Sequence, residues 1–139
     1  MLVLIAALVL FALLAVVICG YALWKGGRWE RAAGASMLVA IVASNVAGVL
    51  GPHWSGPDYG LLAVDSAFFV VLVVIAHHST RFWPLWAAAS QLVGTLTHIV
   101  VILERSVLAQ AYETAQPFWG FPILIAIAVG TRSHQLGKP

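Results

Sequence analysis

The chain has 139 residues, of which 62% are hydrophobic and only 9% charged, with mean hydropathy +0.98, whereas a soluble domain carries about 25% charged residues. A water-soluble fold would have to hide nearly all of these side chains, yet a chain this short leaves about a third of its surface exposed, so lipid is the expected solvent. The net charge of +2, spread over short connectors, excludes a nucleic-acid binder, and the single cysteine, Cys19, excludes an intrachain disulfide or cysteine-pair metal site.

A helix rising about 1.5 Å per residue needs about 20 residues to cross about 30 Å of hydrocarbon. The first run that meets this ruler is about Leu2 to Trp24. It is not read as a signal peptide, because no basic region precedes it and Cys19-Gly20-Tyr21-Ala22 has no small-x-small cleavage site. A thiol behind an apolar stretch also raises a lipid-attachment reading, which the length of the run disfavours. Helix 1 is almost wholly Leu, Val, Ile and Ala, the composition of a lipid-facing helix.

The second run is about Ala32 to Leu50, where Ala32, Ser36, Ala40, Ser44 and Gly48 recur at every fourth position. Such a stripe of small residues lets another helix approach closely, within the bundle or across a homodimer seam. The third run, about Gly60 to Ala76, extends through His77 and His78. These adjacent residues diverge by about 100° around a helix, poor geometry for one metal. The fourth, about Pro84 to Leu103, carries a polar face of Ser90, Gln91, Gly94, Thr95, Thr97 and His98, expected to point inward.

The fifth run, Ala111 to Gly130, contains Glu113, Gln116, Pro117 and Pro122. It is expected as one kinked helix, prolines being tolerated where neighbours satisfy the freed carbonyl. The alternative is a turn up to Gln116 followed by a short tilted span. The expected fold is thus all-α, one integral-membrane bundle of five transmembrane helices over residues 1–139.

Orientation follows from the connectors. Lys25, Arg28, Arg31, Arg81, Arg132 and Lys138 fall on one side, and Arg105 alone on the other. The positive-inside rule places the six in the cytoplasm, giving N-out and C-in. Trp24, Trp29, Trp83 and Trp86 fall at the cytoplasmic interface and Trp54 in the external connector, while Trp119 fits only if helix 5 starts later than drawn.

Ionisable groups inside a membrane are expensive, so each is a candidate site. Asn45, Asp65, His98 and Glu113 come one from each of four helices and form one layer near the proposed outer boundaries, the first three about five residues, or about 7 Å, deep and Glu113 nearer the start of its run. A histidine between two carboxylates can bond across helices, relay protons or hold a divalent metal. No H-E-x-x-H or comparable ligand motif is present, and His98 has no second axial histidine within a span. No catalytic residue and no cofactor is therefore expected.

The segment Arg81-Phe82-Trp83-Pro84-Leu85-Trp86-Ala87-Ala88-Ala89-Ser90-Gln91-Leu92-Val93, followed by Thr97-His98, resembles a stretch found in uncharacterised small multi-pass membrane proteins of alphaproteobacteria. The resemblance also touches Ala111-Tyr112 and the Trp119 region. It implies a bacterial inner membrane and no mechanism. The expected function is that of a non-enzymatic accessory subunit of a larger membrane complex, or a homo-oligomeric bundle, with the polar layer stabilising it. The alternative is a proton- or ion-coupled carrier or sensor using Asp65, His98 and Glu113.

Overall fold

A computed structural model describes residues 1–50, 59–103, 111 and 116–137. Trp54, Arg105, Glu113 and Lys138, all part of the expected topology, lie outside the described residues. Four long helices form where the apolar runs stand: α1 (Leu2–Lys25), α2 (Arg28–Leu50), α3 (Tyr59–His78) and α4 (Trp83–Leu103). All four are long and apolar enough to cross a membrane.

Helix α2 starts four residues earlier than the sequence pattern suggests. The turn from α1 takes only Gly26 and Gly27, closed by Gly26 N–H donating to the Ala22 carbonyl at 2.9 Å and by Arg31 Nε donating to the Gly26 carbonyl at 3.0 Å. Glu30 then sits in the first turn of α2, where a negative charge is favoured by the exposed N–H groups. Its side chain is buried inside the fold, so the segment that reads as a solvated connector is the start of a helix.

The fifth element corrects the expectation of one kinked helix from Ala111 to Gly130. Gln116–Trp119 is a 3-10 turn, and an α-helix, α5, follows over Gly120–Gln135. Proline 117 falls in the turn, and Pro122 is the third residue of α5, where a missing N–H costs no intrahelical bond. The helix therefore needs no kink, and it runs five residues past Gly130. Its 16 residues rise about 24 Å, closer to the short-span alternative.

The helices pack as a closed ring, each against the next in sequence and α5 back against α1, with α2 also touching α5 across the middle. The two chain-distant helices meet through Phe11 and Phe121, edge to face with centroids 5.3 Å apart, and through the Tyr21 hydroxyl donating to Gln135 Oε1. The core they enclose is built from Cys19, Ala22, Ala33, Leu72, Ala87 and Ile127, all fully buried.

Small residues line the contact between α1 and α2. Helix α1 turns Ala15, Cys19 and Ala22 toward Ala33, Gly34 and Met37 of α2. At Gly34 an added Cβ would lie 3.3 Å from both the Ala22 Cβ and the Cys19 carbonyl oxygen. Ala32, Ser36, Ala40 and Ser44 lie one step round the helix and are half-buried, and Gly48 is exposed, with no described residue within 4 Å of where its Cβ would be. The rest of α1 is covered with exposed Leu, Val and Ile side chains.

Candidate functional site

Two polar clusters lie within the ring, one near each end. The first contains part of the layer singled out in the sequence. Five residues before the end of α4, His98 turns inward and its Nε2 lies 2.8 Å from Asp65 Oδ2 on α3. Gln91, two turns earlier on the same face of α4, donates from Nε2 to the Asp65 backbone carbonyl at 3.1 Å. Helices α3 and α4 are thus joined twice at one residue. The pair is unequally buried, with the His98 side chain 9% exposed and that of Asp65 21%.

The remaining polar residues of α4 are spent within their own helix. Thr95 Oγ1 donates to the Gln91 carbonyl and Thr97 Oγ1 to that of Gly94, so both hydroxyls are satisfied where no water reaches. Ser90 is half-buried and turns toward α5 rather than toward Asp65. Asn45 does not enter the layer: its Nδ2 donates to the Ile41 carbonyl one turn back, and its side chain is exposed. Glu113 lies outside the described residues. The structure therefore brings together Asp65, His98 and Gln91, and separates Asn45 from them.

Trp119, at the start of α5, packs over Gly94, whose built Cβ would sit 3.5 Å from the Trp119 Cβ. Its indole N–H is buried and has no hydrogen-bond partner among the described residues. The late start of α5 puts this ring at a helix end, yet it faces the bundle rather than serving as an interfacial anchor.

The second cluster was not expected from the sequence. Glu30 is 2% exposed, and its Oε1 accepts a hydrogen bond from Trp83 Nε1 at 3.0 Å while lying 3.7 Å from Arg81 Nη1. Arg81 reaches onward from the α3–α4 link, donating from Nη1 to the Gly130 carbonyl at 3.3 Å and placing Nη2 3.4 Å from His134 Nδ1. Carboxylate, guanidinium, indole and imidazole so tie the start of α2 to the start of α4 and the last turns of α5. Burying a carboxylate requires such a charged and hydrogen-bonded partner set.

Gly130 is needed here for space. A Cβ on it would lie 2.5 Å from the Trp83 ring, so only glycine lets the indole lie flat on α5 and reach Glu30. The sequence did hold a signal for this cluster: Glu30 is the one acid between Arg28 and Arg31, and Arg81 is the one basic residue of its link.

Chemically, Asp65 and His98 form a carboxylate–imidazole pair that can hold or pass a proton. Among the described residues no three His, Cys, Asp or Glu side chains come close enough to hold a metal ion. The fold and its two clusters define a helical bundle with four helices able to span a membrane. No protein-family model, curated protein or solved structure matches the chain.

Proposed function

We propose that the chain is a non-enzymatic, multi-pass protein of a bacterial inner membrane, acting as an accessory subunit of a larger complex or as a self-associating bundle. The observation that carries this reading is how the polar groups are used. The side chains of Gln91, Thr95, Thr97 and Thr131 bond to backbone carbonyls, His98 bonds to Asp65, and Glu30 is held by Trp83 and Arg81. The bonds of Gln91 and His98 to Asp65, and of Glu30 to Trp83 and Arg81, fasten one helix or link to another, while the three threonines satisfy their hydroxyls within their own helices.

The far end of α2 supports association. From Asn45 onward it is largely exposed, and among the described residues nothing lies within 4 Å of where a Cβ on Gly48 would be. A small, uncovered helix surface of this kind suits close approach by a helix from another chain.

For topology, the reading takes five spans. The 3-10 turn adds about 8 Å to the 24 Å of α5, so Gln116–Gln135 matches a hydrocarbon layer of about 30 Å. Lys25, Arg28, Arg31, Arg81 and Arg132 gather where the Glu30 cluster sits, which favours that end as cytoplasmic, with the N-terminus outside.

One observation favours a second reading, a proton- or ion-coupled carrier or sensor: the Asp65 carboxylate keeps 21% of its side chain exposed while bonded to a histidine. The two readings separate on Asp65→Asn and His98→Gln. In the structural role, both substitutions lower the yield of folded protein, and vesicles containing the wild type show no more proton flux than empty ones. Flux in wild-type vesicles that both substitutions abolish at unchanged yield would establish the carrier instead. A strictly monomeric protein in native membranes, with no companion chain, would overturn the structural reading.

A further inference from the structure

The Glu30 cluster has a consequence on the outer side of the bundle. Between α4 and α5 runs a groove of about 450 Å³, open along one side, with Trp86 and Ser90 on one wall and Ile125 and Val129 on the other. Trp83 stands at one end and Pro122 at the opposite end. The helices are antiparallel here, Trp83 lying against Gly130 and Gly94 against Trp119, so the groove extends about 12 Å along the helix axes. It cannot close by rotation of the Trp83 ring, because the indole is bonded to Glu30 and pressed on Gly130.

The chemistry at the two ends differs. Pro122, Ile125 and Val129 follow one face of α5, and the next residue on that face, three further on, is Arg132, which is exposed. Arg81 stands at the same mouth, next in sequence to the groove residue Phe82 and bonded to the Gly130 carbonyl. Around this end the described residues hold Lys25, Arg28, Arg31, Arg81 and Arg132 against one acid, Glu30, whose charge is already met by Arg81. Toward Pro122 the walls are apolar apart from Ser90.

We infer that this groove holds one acyl chain of an anionic phospholipid, its phosphate headgroup resting against Arg132. An apolar slot starting at a basic rim and running inward along the helices has the shape and polarity of a lipid standing in one leaflet. The charge of the rim selects acidic headgroups, since one interfacial Lys or Arg contributes about a five-fold preference for an anionic surface. The inference rests on the membrane reading above.

The test uses quenching of tryptophan fluorescence by brominated acyl chains, because Trp83 and Trp86 line the groove. The full chain is reconstituted in phosphatidylcholine vesicles carrying a minor fraction of either brominated phosphatidylglycerol or brominated phosphatidylcholine. The wild type should associate with the brominated phosphatidylglycerol about five-fold more strongly. Val129→Phe, which fills the groove, and Arg132→Gln, which removes a rim charge, should each bring the ratio close to one. Leu85→Phe, on α4 outside the groove, should leave it unchanged. Equal quenching of the wild type by the two lipids, or a preference that survives Val129→Phe, overturns the inference while leaving the membrane reading intact. Failure of the protein to float with the vesicles overturns both.

Discussion

Replacing Glu30 with alanine should destabilise the bundle by about 3 kcal/mol, the lower part of the range for removing one member of a buried ion pair. The magnitude follows from what is left behind. Trp83, 6% exposed, keeps an indole N–H with no acceptor, a loss of about 1–3 kcal/mol. Arg81 loses its counter-charge, but it retains the Gly130 carbonyl and an 18% exposed side chain, so water meets part of the loss. Glu30→Gln keeps an oxygen for Trp83 and gives up only the charge, so it should cost about 1 kcal/mol, the difference between charged and neutral hydrogen bonds. Unfolding in mixed micelles with rising dodecyl sulfate, followed by circular dichroism, measures both. A double-mutant cycle of Glu30→Gln with Trp83→Phe should return a coupling of about 1 kcal/mol. If Glu30→Ala lies within about 0.5 kcal/mol of the wild type, as a surface substitution would, the cluster does not hold the helices together.

Three further outcomes follow from packing. Gly34→Leu, forced against Ala22 and Cys19, should push α1 from α2 and cost at least about 2 kcal/mol, read as a fall in detergent-stable yield. Gly130→Ala should displace the Trp83 ring and cost about 1–3 kcal/mol, and adding Trp83→Phe should recover little of it if the lost bond to Glu30 matters more than the clash. Cys19, 0% exposed, should resist a maleimide in the folded protein and label upon unfolding at the dodecyl sulfate fraction where the helices separate. Ready labelling of the native protein would show that the α1–α2 contact is open.

The spans were legible because hydropathy over about 20 residues is a local property, and the ends of α1, α3 and α4 fall within two residues of where the pattern puts them. The start of α2 was not legible, since only the distant Arg81 and Trp83 make burial of Glu30 tolerable. The fifth element was misjudged because two prolines were assigned to a helix interior, whereas one lies in the 3-10 turn and the other in the first turn of α5. Of the expected polar layer, Asp65 and His98 meet because both face inward, a matter of helical phase as well as of position along the helix. Asn45, placed at the same depth by the sequence pattern alone, is exposed and bonds to its own helix.

Because the ring closes between α1 and α5, its last seam joins segments more than a hundred positions apart, as Tyr21 and Gln135 show. A ribosome delivers α5 only after the other four helices have emerged. Until then Phe11 has no Phe121 to meet, and Arg81 has neither the Gly130 carbonyl nor His134 beside it. The order of synthesis therefore leaves a growing chain with an open flank on α1 and a half-assembled anchor around Glu30, the state in which an insertion factor or a companion subunit would find the most surface to hold.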